Sequence, residues 1–294
     1  MIPKDAIRKI RRIQITTSRK VTDVFAGQYQ SVFKGVGMEF DEVREYLPGD
    51  EIRSIDWNVT ARMGHPYVKK FVEERELTIM ILLDVSMSCR FGTSERAKSE
   101  LAAEVCSVIA FSATQNNDKV GMLTFSDRVE KYIPPRKGIR HVLRVIREAL
   151  YNTPRGKGTD LNNILEHLNR HTTRRTITFV ISDFFAPDFK KTLSITNKRH
   201  DVIAVHIADP SEIELPEAGI VKLHDAETGV PFNIDTSNRK VRRIYKDNMA
   251  RSSEKRHKLF RSVNVDSIDL RTDRSYVEPL IRFFRMRERR LARR

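Results

Sequence analysis

The sequence predicts an α/β protein: a doubly wound, mostly parallel sheet flanked by helices, with an N-terminal β-rich extension and basic C-terminal helices. Two observations carry this. Four apolar runs, LTIMILL (77–83), KVGMLTFS (119–126), TITFVISDFF (176–185) and DVIAVHIAD (201–209), lack the alternation of a one-sided sheet. They suit strands buried on both faces. Between them lie stretches with helical spacing, and strands that alternate with helices form parallel sheets.

Taken in order, residues 3–15 place Ile2, Ala6, Ile10 and Ile13 on one face of a basic helix. Residues 25–75 are punctuated by Gly27, Gly35, Gly37, Pro48, Gly49, Gly64 and Pro66, with YQSVF and YVKKFVEE as strands. Between these strands, EFDEVREYLPGDEIRSIDWNVTAR reads as a network of opposite charges anchored by Tyr46 and Trp57. Residues 94–116 read as a helix along Ala97, Leu101, Val105 and Val108. VEKYIPP (129–135) ends in two prolines and fits an edge strand. Helices follow at 139–150 and 161–168, joined by the loop NTPRGKGTD, and DFKKTLSITNK is a further helix. Residues 220–235 read as a hairpin, 237–261 as a long basic helix, 264–272 as a strand and the remainder as a final helix. The implied division is 1–75, 76–235 and 236–294.

The 294 residues carry a net charge of +15. Residues 239–294 are net +12 and residues 1–22 net +6, which leaves the middle slightly acidic. Such asymmetry points to a polyanionic partner, nucleic acid or an anionic membrane face, or to basic helices packed on an acidic core. No apolar run reaches the roughly 18–20 residues of a membrane span, and no signal-peptide block opens the chain. A cytoplasmic protein is expected, with the inner face of the membrane as a peripheral site. Cys89 and Cys106 form neither a disulfide framework nor a CxxC pair.

The most informative stretch is Asp84-x-Ser86-x-Ser88, directly after the first apolar strand. One carboxylate and two hydroxyls on a turn make a hard-oxygen corner suited to Mg²⁺ or Mn²⁺. Loops at the carboxyl ends of parallel strands gather at one edge. Two more of them carry oxygen donors: Thr159-Asp160 after a Gly-rich stretch, and Ser182-Asp183 after a strand. Enzyme chemistry is disfavoured. A haloacid-dehalogenase-type phosphatase needs a second Asp where Ser86 stands. RGKGTD lacks the P-loop order, and Lys157 in it reads as a surface residue near the metal mouth. The eight histidines form no ligand or base cluster and read as surface or helix-end residues. Cys89 is a poor candidate nucleophile.

With Asp84, Ser86, Ser88, Thr159 and Asp183 in this order, residues 76–210 resemble a von Willebrand factor A domain with its metal-ion-dependent adhesion site. That resemblance implies hydroxyl ligands from Ser86, Ser88 and Thr159, and aspartates binding directly or through water. It also implies one open position for an acidic residue of a partner protein. FDEVREYLPGDEIRSIDWNVTARMG, followed by a strand and DVSMS, is similar to the bacterial domain of unknown function 58 family. Its members are often encoded beside MoxR-type AAA+ ATPases. The two resemblances together imply a non-enzymatic, Mg²⁺- or Mn²⁺-dependent interaction module, an adaptor or assembly factor working with such an ATPase. The alternatives are polyanion binding through the C-terminal helices and, last, a metal-dependent hydrolase.

Overall fold

The computed structural model describes residues 39–72, 76–94, 96–156, 158–224 and 231–291. The expected helix at 3–15, the strand YQSVF and Lys157 lie outside them. The described chain divides into two compact units, one ending at Leu77 and one beginning at Thr78.

In the smaller unit, β1 (Glu39–Glu45) pairs antiparallel with β2 (Tyr67–Val72), with Arg44 opposite Val68 and a bulge between Phe40 and Glu42. Between them lies α1 (Trp57–Met63), whose first turn is capped by Asp56 accepting from the Asn58 and Val59 amides. The expected charge network is present in part. The Arg44 guanidinium donates to both oxygens of Asp50 at 2.8 and 2.7 Å. Trp57 is not an anchor of it: the indole is 67% exposed. The ring stands at the first position of a two-turn helix, and among the described residues of this unit Val68 is the buried apolar one.

The larger unit is built in chain order from β3 (Thr78–Asp84), α2 (Lys98–Gln115), β4 (Lys119–Phe125), β5 (Val129–Arg136), α3 (Ile139–Tyr151) and α4 (Leu161–His171). There follow β6 (Ile177–Ser182), α5 (Lys190–Arg199), β7 (Asp201–Ala208), α6 (Pro210–Ile213), β8 (Ile220–His224) and β9 (Pro231–Asp235). It ends with α7 (Arg239–Ser262), β10 (Asp266–Arg271) and α8 (Val277–Leu291). Six strands form one sheet in the order β10-β7-β6-β3-β4-β5, parallel throughout except for β5, which runs antiparallel on β4. β8 and β9 form a separate antiparallel hairpin.

Burial explains the layering. Met80 and Leu82 of β3 pack with Leu161, Ile164, Leu165 and Leu168 of α4, Leu193 of α5 and Phe260 of α7. Successive strand residues point to opposite faces. Ile79, Ile81 and Leu83 therefore face the other side, where α2 packs against β3 and β4 and also contacts α3. A strand buried on both faces has to be apolar at every position, hence the unbroken run. The two prolines of β5 sit on the edge, where no further strand needs their missing amides.

α2 starts later than its periodicity suggests. The Thr93 amide and hydroxyl both donate to Asp209, and the Arg96 guanidinium donates to the carbonyls of Thr272 and Arg274. These bonds tie Thr93 and Arg96 to other elements, Ala97 is extended, and the helix begins at Lys98.

The basic C-terminal helices are docked by specific contacts. α8 buries Leu280, Phe283 and Phe284. Its Arg287 grips Asp201 at 2.9 and 2.6 Å and Asp266 at 2.8 Å, where β7 and β10 begin. α7 buries Phe260 and sets Arg256 and His257 around Asp269 of β10. Among the described residues no helix is long and apolar enough to cross a membrane.

Candidate metal centre

β3 and β6 are neighbours, and β4 lies on the other side of β3. The connection leaving β3 runs to β4 on one side and the connection leaving β6 runs to β7 on the other, so the crevice at the carboxyl ends of β3 and β6 is a topological switch point, the usual ligand position in open α/β sheets. Asp84 ends β3 and is buried. Its Oδ1 accepts the Ser86 amide at 2.9 Å, which folds the chain back over the strand end. Its Oδ2 accepts the Ser182 hydroxyl, from the last residue of β6, at 2.6 Å. The Ser86 and Ser88 hydroxyls stand 3.1 Å apart. Asp183 follows β6, fully buried, and its Oδ1 accepts the Phe185 amide at 3.2 Å. One carboxylate oxygen of Asp84, one of Asp183 and the Cys89 sulfur all lie within 4.8 Å of each other.

Thr159 reaches the same edge by a different route. The Asp160 amide donates to the Ser126 carbonyl just beyond β4, and the Arg155 and Gly156 amides donate to one Glu130 oxygen. Gly156 allows this. A Cβ there would stand 2.0 Å from an Asp127 oxygen and 2.2 Å from the Ser126 hydroxyl. Thr159 is buried, and among the described residues no hydrogen bond joins it to Asp84, Ser86, Ser88 or Asp183. Asp160 caps α4 by accepting the Asn163 amide, so it is committed to the helix.

Two residues that the pattern of the chain did not single out complete the centre. Lys98, the first residue of α2, is 1% exposed, and its ammonium donates to Asp183 at 2.9 Å and to Glu212 at 2.5 Å. Glu212 belongs to α6, whose cap Asp209 it meets through the Asp209 amide at 2.9 Å. A lysine opening an apolar helix, where the helix dipole disfavours a cation, was the available signal. Nothing local marked Glu212.

The electrostatics follow from burial. Asp84 is pushed up to about 6 by loss of water and by the nearby Asp183 charge, against the hydrogen bonds from Ser182 and Ser86. Burial, with both carboxylates, raises the Cys89 thiol well above its ordinary value, so the reactive thiolate is disfavoured. Burial pulls Lys98 down, but Asp183 and Glu212 outweigh it and keep the ammonium charged. The donor set fits a hard divalent cation: two carboxylates that repel one another in a buried crevice, with two hydroxyls at their side. Of the remaining candidates, His206 departs from the surface reading. It is buried in mid-strand in β7, with Nδ1 3.1 Å from an Asp269 oxygen.

The family model described as protein of unknown function DUF58 matches residues 42–255. The chain belongs to the DUF58 family. A relative, uncharacterized protein Rv1480 of Mycobacterium tuberculosis, is 32% identical over 289 residues, covering 95% of this chain and 89% of that protein. Among solved structures, the conserved hypothetical protein BatB from Bacteroides thetaiotaomicron matches 74% of this DUF58 chain and all of its own, at 16% identity and a TM-score of 0.46. The SpRpn10 VWA domain matches 70% of this chain and 94% of its own, at 12% identity and a TM-score of 0.40.

Proposed function

We propose that this DUF58 protein is a metal-dependent protein-interaction module. In this reading Asp84, Ser86, Ser88, Thr159 and Asp183 hold Mg²⁺ or Mn²⁺. The convergence of Asp84, Ser86, Ser88 and Asp183 at the switch point of the sheet carries the reading. A divalent ion held partly by neutral hydroxyls keeps positive charge and attracts a carboxylate from a partner. The protein's own residues then orient the ion and exclude water around it. No general acid stands two residues after Asp84, and the Cys89 thiol is held protonated, which favours docking over turnover. The role that follows is an adaptor or assembly factor, with a MoxR-type ATPase as the expected partner, in the cytoplasm or at the inner membrane face. Calorimetric titration with Mg²⁺ and Mn²⁺ tests the site. The wild type binds one ion and Asp84→Ala does not; equal binding by both, or by neither, rejects it.

A second reading, polyanion binding, is favoured by one observation. Arg282, Arg285, Arg289 and Arg290 line a groove of about 550 Å³ along α8, together with Ile281, Met286 and one acid, Glu278, which pairs with Arg282. Binding to duplex DNA or anionic vesicles that vanishes in moderate salt and ignores Mn²⁺ and Asp84→Ala supports it.

A further inference from the structure

Lys98 is the least expected residue of the centre. A buried lysine is rare unless paired, and the start of a helix is the least favourable place for a cation. The next buried residues of α2 are apolar: Leu101, Ala102 and Ala103. Among the described residues Asp183 and Glu212 are the carboxylates that pair with the ammonium, and Asp183 is also one of the two carboxylates facing the ion position.

We infer that Lys98 is a resident cation of the metal centre, which holds Asp183 in place before an ion binds and sets how much negative charge the ion meets. This rests on the metal reading above. Without an ion, Asp84 and Asp183 would face each other as two buried like charges, and the ammonium on Asp183 Oδ2 relieves this. With an ion, the three carboxylates of Asp84, Asp183 and Glu212 and the one ammonium of Lys98 sum to −2, so a divalent cation leaves the centre neutral. Without Lys98 the loaded centre would keep a net negative charge and repel an acidic partner residue. Lys98 thus trades metal affinity for a centre that accepts a carboxylate.

The test uses the full chain, with Mn²⁺ as the probe. Lys98→Met binds Mn²⁺ at least about tenfold more tightly than wild type, because a positive charge a few ångströms from the ion position is gone. Its melting temperature in chelator falls, and added Mn²⁺ restores more of it than wild type gains. Should the single variant not fold, Lys98→Gln, which keeps an N–H donor toward Asp183 but no charge, takes its place, and it too binds Mn²⁺ more tightly. An unchanged dissociation constant in the variant that folds, beside a wild type that binds, overturns the role of Lys98 alone. No Mn²⁺ binding by wild type or variants overturns the metal reading and this inference together.

Discussion

Replacing Asp209 by Asn tests how the centre is held. Asp209 follows β7, fully buried, and its carboxylate gathers five donors. These are the Thr93 amide at 2.9 Å and hydroxyl at 2.5 Å, the Ser211 amide at 3.0 Å and hydroxyl at 2.7 Å, and the Thr272 hydroxyl at 2.9 Å. It thereby ties the loop before α2, the cap of α6 and the end of β10 to one point, and α6 carries Glu212. Burial raises its pKa, but the hydrogen bonds from Thr93 and Ser211 win and bring it down to about 2 from 3.8. A depressed carboxylate contributes stability that is present above the unfolded value and lost as pH falls through the folded one. Converted, the depression corresponds to about 2–3 kcal/mol at pH 7. An asparagine keeps one acceptor oxygen but turns an NH₂ toward donors and loses the charge. Urea unfolding at pH 7 should show Asp209→Asn less stable by about that amount, with an unchanged slope. At pH 3, where wild-type Asp209 already pays part of the linkage, the gap should narrow by about 1 kcal/mol. A variant within about 0.5 kcal/mol of wild type at pH 7, or a gap that does not change with pH, refutes the reasoning.

Arg287→Ala should cost about 2–4 kcal/mol, toward the lower end because the group is partly exposed, since it removes both bonds to Asp201 and leaves Asp266 held by Arg290 alone. Arg282→Ala, which breaks only an exposed pair with Glu278, should change the melting temperature little, and equal effects of the two would count against specific docking of α8. His200 is buried and pulled down to about 4 by burial and by the Arg199 and Arg175 charges, so its neutral form stabilises the fold above pH 6.5 and this is lost as pH falls toward 4. The stability difference between wild type and His200→Gln should therefore shift by about 3 kcal/mol across that window; a constant difference would show that the imidazole does not titrate with folding. Asp84 runs the other way, since its raised value makes the metal-free protein lose stability as pH rises from about 4 to about 6, a trend that Asp84→Asn should remove.

Much of the fold was legible because it is local. Continuous apolar runs marked β3, β4, β6 and β7, and two prolines marked β5 as an edge. Asp84, Ser86 and Ser88 were legible together because one turn holds them. Asp183 and Thr159 could be named only through the topology, which sends several strand ends to one edge. The structure brings Asp183 against Asp84 and Cys89, and it ties the neighbours of Thr159, Gly156 and Asp160, to Glu130 and Ser126 on the β4 side.

By itself, then, the sequence determined the layers of the protein and the edge where the oxygen donors gather, because burial periodicity and turn chemistry are short-range. Only the tertiary structure decided the charge state of that edge. Lys98 meets Asp183 across 85 residues of chain and Glu212 across 114, and pairing at such separations leaves no period to read. The same holds for the exposure of Trp57 and the burial of His206, which depend on what packs nearby. An oxygen corner after a strand is written in the chain; the ammonium that shares it is placed there by folding.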